Sequence, residues 1–204
     1  MSQLKLTADS GGGTVAIKGP ASTAGNAALD LTVPGTASAT LDTLGRAGNI
    51  LQLIQVVKTD TTSTTSIDTF VDVSGMSVSI TPSSTSSKIL VTVDMRVSMY
   101  TNRNGAIRLV RGSTPIYVGD SAGSRLQVTN ALRLTDDARG EMQTESATFL
   151  DSPSTTSATT YKVQWCQTYG GSSDGFYLNR SQQDTDNNDR ARAASSITVM
   201  EVAG

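Results

Sequence analysis

At 204 residues with a formal charge of -2, the chain has room for one good hydrophobic core or one core and a small appendage. It contains no histidine, which removes the usual general base, the Ser-His and Cys-His pairs and the commonest transition-metal ligand. Its 16 basic residues are spread out and the pI is near 5.0, so the charge footprint of a nucleic-acid binder is absent from the sequence. The single cysteine, Cys166, cannot form an intrachain disulfide and reads as a small buried strand residue. The opening MSQLKLTADSGGG lacks an apolar signal-peptide core and no stretch approaches a membrane span. The expectation is a soluble protein made in a cytoplasm, without membrane insertion. Low aromatic content (4%) with plentiful Ser, Thr and Gly suits short strands joined by turns.

Residues 1–45 differ in texture from the rest. Leu4-Lys5-Leu6, Val15-Ala16-Ile17 and Leu29 to Val33 alternate, but each piece is too short to bury a core alone. They are expected to form a module completed by neighbouring chains, and three interleaved copies would also cover the exposed strand edges. Ala37 to Gly45 reads as a linker.

From residue 46 onward the chain reads as strands. Asn49 to Lys58 fits either period, and its Val and Ile content favours a strand. Phe70 to Val73 and Met76 to Ile80 flank an expected turn at Ser74-Gly75. Lys88 to Tyr100 carries the clearest signal: Ile89, Val91, Val93, Met95, Val97 and Met99 are apolar at every second position. Asn104-Gly105 predicts a hairpin turn before a returning strand over Ala106 to Arg111. Ile116 to Val118 and Arg125 to Thr135 follow, the latter with Leu126, Val128, Leu132 and Leu134 expected inward. Thr144 to Leu150, Thr160 to Tyr169, Phe176 to Arg180 and Ser195 to Val202 complete eight to ten strands. In the Thr160 to Tyr169 strand, Tyr161, Val163, Trp165 and Tyr169 are expected on one face. No helix pattern interrupts them, so the fold class is all-β: an antiparallel jelly-roll-like sandwich over 46–204 with a small N-terminal β module over 1–45.

Motifs that carry chemistry are few. Asp184, Asp186 and Asp189 form an oxygen-rich run, but the spacing and closing Glu of an EF-hand loop are missing, and a solvated turn is the expectation. Asp136-Asp137 and the Glu141, Glu145 group are the candidate carboxylate pairs for glycoside hydrolysis; none lies in an apolar run that would raise its pKa. No catalytic residue, metal or cofactor is assigned. Tyr169, Phe176, Tyr177 and Asn179 flank a Gly-Gly-Ser-Ser-Asp-Gly loop and are the candidate receptor-binding residues, since aromatic faces beside polar groups stack on sugar rings.

The run LKLTADSGGGTVAIKGP with ALDLTVP resembles a short repeated-strand module at the start of many tailed-phage fibre and appendage proteins. GNILQLIQVVKTDTTSTT with FVDVSGMSVSITPSSTSSKILV is similar to a C-terminal domain of marine and cyanobacterial phage virion proteins, and FYLNRSQQDTDNNDRARAASSITVMEV shares its character. The resemblance implies a homotrimer with a jelly-roll head, joined to other virion proteins through residues 1–45. A host-surface glycan is the expected receptor, and the virion, assembled in the bacterial host cytoplasm, is the expected location. No extended shaft repeat separates the two parts, which keeps capsid decoration or cement beside the short tail fibre. A glycan depolymerase and a free-standing lectin are the readings from other classes.

Overall fold

The computed structural model describes residues 46–100, 102–134, 140–169, 171 and 175–204; the module expected over 1–45 lies outside them. The described residues form eleven strands: β1 (Ile50–Lys58), β2 (Thr62–Thr64), β3 (Val71–Ile80), β4 (Lys88–Met99), β5 (Arg103–Arg111), β6 (Thr114–Ile116), β7 (Asn130–Leu134), β8 (Gln143–Asp151), β9 (Thr159–Tyr169), β10 (Phe176–Leu178) and β11 (Ser195–Val202). One sheet runs β1-β11-β4 with β8 on the far edge of β4. The other runs β3-β9-β5, with β7 and β6 both against β5. Every pairing between named strands is antiparallel. Counted in chain order, the eight strands longer than three residues give neighbour orders 1-8-3-6 and 2-7-4-5. That is the jelly-roll arrangement of two four-stranded sheets.

Strand β4 explains the architecture. Its alternation puts one set of side chains on one side, and Ile89, Val91, Val93, Met95, Val97 and Met99 are all buried. Because it is paired along both edges, each inward residue is flanked by inward partners, as in the rungs Ile54–Val199–Val91–Phe149 and Val56–Ile197–Val93–Ala147. Opposite them the second sheet supplies Val78, Ile107, Leu109, Tyr161, Val163 and Trp165. The C-terminal strand β11 lies inside its sheet, between β1 and β4.

The strand expected over Ile116 to Val118 runs instead over Thr114–Ile116, with Tyr117 at a positive φ of 52°. Three more turn and strand expectations differ from what is observed. Asn104-Gly105 does not make the hairpin: the chain reverses between Met99 and Arg103, where Asn102 takes a positive φ of 57°, and Asn104 and Gly105 pair within β5. Glycine is needed at 105 because a Cβ there would come within 2.5 Å of Met99 Cε and 2.9 Å of Phe176 Cε1. Ser74-Gly75 is a register shift inside one continuous strand β3, with Gly75 at φ +80° over the Lys58 side chain. In the third case, among the described residues of the Arg125 to Thr135 run only Asn130 to Leu134 is strand, and Leu126 is exposed. Thr129 ends the preceding loop by donating its backbone N–H to the Ile107 carbonyl and accepting the Leu109 N–H on its hydroxyl.

Two polar clips sit at one end of the fold, one joining sheet to sheet and one joining the loop before β4 to the β4 sheet. Arg111 Nη1 contacts both oxygens of buried Asp151 at 2.8 Å, and the Tyr161 hydroxyl donates to Asp151 Oδ2 at 2.6 Å. Asp151 belongs to the β4 sheet and its two partners to the other, so the clip ties sheet to sheet. Burial first, then the Asp151 bond, pushes the Tyr161 hydroxyl well above the usual tyrosine range. At the same end of the β4 sheet, Glu201 sits on the inner rung Gln52–Glu201–Ile89–Asp151. Its Oε1 accepts from the Ser83 N–H (2.7 Å) and hydroxyl (2.6 Å), and its Oε2 accepts from Gln52 Nε2 (2.6 Å). Burial opposes the charge, yet the Ser83 and Gln52 bonds outweigh it and bring the carboxyl from 4.5 down to about 2.

Tyr161→Phe should cost about 1–2 kcal/mol and Asp151→Ala about 3–5 kcal/mol in urea unfolding, because the second change strands the Arg111 charge and the Tyr161 hydroxyl. Since folding lowers the Glu201 pKa, the stability it contributes is complete above the ordinary value of 4.5 and is lost as pH falls toward about 2. Glu201→Gln should flatten that acid limb of a melting-temperature profile and leave the neutral-to-alkaline limb parallel to the wild type.

Candidate functional site

The sequence-predicted residues gather at one end of the sandwich, where β4 ends, β5 begins and β9 passes to β10; Met99 pairs with Phe176 and Asn104 with Tyr169. They divide by burial. Tyr169 is 62% exposed, with the Arg103 guanidinium 6.0 Å from its ring centroid, and Tyr100 on the neighbouring turn is 39% exposed. Tyr177 is half-buried under the Arg180 guanidinium, 4.0 Å from the ring centroid. Glycine at 175 leaves room for that ring, since a Cβ there would run into it. Phe176 is fully buried, its ring 4.8 Å from that of Trp165, so it is a core residue and no receptor reaches it. Tyr169 in turn does not share the inward face of Tyr161, Val163 and Trp165; Gln167 holds the buried position before it.

Asn179 is also fully buried, which removes it from any receptor surface. It joins two broken rows of strand. The row formed by β1 and β2 is interrupted after Lys58, and the row formed by β11 and β10 is interrupted by residues 179–194. Asn179 adopts φ +62°, a region asparagine tolerates better than most residues. From there its Nδ2 donates to the carbonyls of Lys58 (2.8 Å) and Asp60 (3.0 Å), and its Oδ1 accepts from the Ser195 hydroxyl (2.6 Å). Its backbone N–H meanwhile donates to the Arg96 carbonyl at 2.8 Å.

The acidic run 184–189 is held by arginines. Asp184 Oδ2 lies 2.8 Å from Arg180 and its Oδ1 2.7 Å from Arg192, while Asp189 lies 2.9 Å from Arg190. Two guanidinium groups on one carboxylate disfavour a cation there. Of the candidate hydrolytic carboxylates, Glu145 accepts from Asn130 Nδ2 at 2.9 Å and Glu141 is exposed; Asp136 and Asp137 lie outside the described residues. That Asn130 amide also donates to the Ser146 carbonyl, bridging the two sheets at their open edge. Cys166 is fully buried, and burial raises its thiol to about 11, which makes it a poor nucleophile.

Sequence reasoning missed a groove of about 440 Å³ on the outer face of the second sheet, lined by Asp68, Phe70, Arg108, Val118, Leu126 and Gln127 among others. Arg108 projects outward from β5 between inward Ile107 and Leu109. It lies on a rung with Gln164 of β9 and Asp72 of β3. In the sequence this alternation marks only a wet strand face. The groove depends on the 66–70 segment, pinned to β9 by the Asp68 N–H on the Gln167 carbonyl and the Gln167 N–H on the Ser66 carbonyl, both 2.8 Å.

No family model matches the chain, and no curated protein matches it. Solved structures similar to it include that of the infectious bursal disease virus Gx strain, 11% identical with a TM-score of 0.41, covering 86% of this chain and 38% of that one. T=1 particles derived from infectious bursal virus give 14% identity and a TM-score of 0.42, covering 86% and 36%. The chain therefore spans well under half the length of these matches. The jelly-roll assignment stands on the strand order itself.

Asn179→Ala should lower stability by about 2–4 kcal/mol, since it leaves two buried carbonyls and the Ser195 hydroxyl unpaired. Tyr169→Ala should stay within about 0.5 kcal/mol of wild type. Paired thermal melts of the two variants test this division between a structural and a surface residue.

Proposed function

We propose that this chain is a non-enzymatic structural protein of a tailed-bacteriophage virion, a short trimeric tail fibre or appendage whose head recognises a host-surface glycan. The observation that carries the recognition part is Tyr169, a large aromatic side chain 62% exposed at the tip of the sandwich with Arg103 beside it. An aromatic that the core does not use, next to a cation, offers a stacking face and a polar handle to a sugar. The virion part is supported by the sequence resemblance of residues 1–45 and of the head to phage appendage proteins. In this reading 1–45 is the anchor to other virion proteins and the recognition residues are Tyr169 and Tyr177, the latter under Arg180.

Capsid decoration is the second reading, and the outer face of the β4 sheet favours it. There Leu53, Met200, Leu90 and Leu150 form one rung across four strands, with Leu53 56% and Leu150 46% exposed. Edge strand β1 carries no charge from Ile50 to Val57. An apolar rung reaching an uncharged edge suits contact with a neighbouring copy in a homotrimer or a shell lattice.

Light scattering of the full-length protein should give about three times the 21.3 kDa chain mass. In the same preparation Tyr169→Ala should keep that mass and lose binding to host cells. A trimer that binds cells equally well with and without Tyr169 would remove the recognition role and leave decoration as the reading.

A further inference from the structure

The outer face of the second sheet holds an arginine fixed through one edge and one face of its guanidinium. Arg108 Nε donates to Gln164 Oε1 at 2.8 Å, Gln164 Nε2 donates to Asp72 Oδ1 at 2.6 Å, and Lys162 Nζ reaches Asp72 Oδ2 at 2.8 Å. The Arg108 guanidinium also lies on Phe70, 4.0 Å from the ring centroid. One edge and one face of the guanidinium are thus fixed, while Nη1 and Nη2 have no hydrogen-bond or ion-pair partner among the described residues. Asp68 lines the same groove, and its carboxylate likewise has no partner among them. Apolar side chains also line it, with Leu126 exposed and Val118 half-buried, and their loop is held by Gln127 Nε2 on the Gly119 carbonyl at 2.7 Å. At about 440 Å³ the groove falls in the size range of small-molecule sites.

We propose that this groove binds an acidic saccharide, a hexuronic-acid type of residue, at a site separate from the Tyr169 tip. The sugar carboxylate takes the two Nη groups of Arg108 as a bidentate pair, which is the geometry a fixed guanidinium fork matches best. Ring hydroxyls donate to Asp68, which accepts hydrogen bonds only, and the apolar ring face lies against Leu126 and Val118. A purely anionic ligand such as phosphate would leave Asp68 facing a like charge, and a purely apolar one would bury both charges unpaired. The rung behind Arg108 meets the ordering cost of the arginine before any ligand arrives. The inference rests on reading the head as a glycan-recognition module, and it assigns to that module a second contact and a substrate class.

The test is calorimetric titration of the full-length protein with tri-galacturonic acid and, separately, with its methyl ester. The free acid should bind about tenfold or more tightly than the ester. Arg108→Gln should abolish that preference, Arg108→Lys should keep only part of it, and Asp68→Asn should weaken both ligands while the preference survives. Equal affinity for acid and ester, binding of neither, or a preference unchanged in both Arg108 variants overturns the proposal. Tyr169→Ala should leave the titration unaltered. If it abolishes binding where Arg108→Gln does not, the groove is not the site, and the tip reading stands without it.

Discussion

The fold depends on strand β4 being paired along both edges while it buries a single face. The apolar side chains at every odd position from Ile89 to Met99 admit one register only, because a slip by one residue would turn six of them out to water and bring Thr92, Asp94 and Arg96 inside. At roughly 25 cal/mol per Å² of apolar surface, each such side chain is worth about 1.5–3 kcal/mol, so the misregistered state is far out of reach. Once β4 is set, β8 and β11 inherit their registers from it, β1 from β11, and the second sheet follows from the apolar face it must cover.

Three buried polar residues are tied to that frame. Asp151 and Glu201 share one inner rung with Ile89, and each is matched by donors from a different part of the chain: Arg111 and Tyr161 for one, Ser83 and Gln52 for the other. Asn179 does the same for backbone groups at the two strand breaks. These groups fix how loops meet sheets. Polar and aromatic side chains that the inner face does not use include those at the Tyr169 tip and along the outward rung ending at Arg108.

How much of this could be read from the sequence follows from which interactions are local. Strands β4, β9 and β11 were legible nearly to the residue because period-two burial writes itself directly into the chain. The jelly-roll class followed from strand number and spacing. Asn104-Gly105 misled because Gly105 is demanded by the distant Met99 and Phe176 side chains, and no local pattern separates that need from a turn. The candidate site was half legible: an aromatic pair beside a glycine-rich loop marks the tip, but whether Phe176 faces Trp165 or solvent is set by the pairing of β10 with β4, far away in sequence. The Arg108 groove was invisible, since its walls come from segments 68–70, 108 and 115–127, which meet only after both sheets have formed.

Hydrogen–deuterium exchange of the full-length protein, resolved to short peptides, tests the central role of β4 most directly. The slowest amides should lie within 89–97 of β4 and their partners in β8 and β11, with the short strands β2, β6 and β10 exchanging orders of magnitude faster. If β4 exchanges as quickly as those short strands while β3, β9 and β5 stay protected, the sheet built on β4 is not the organising element, and this account of the fold is wrong.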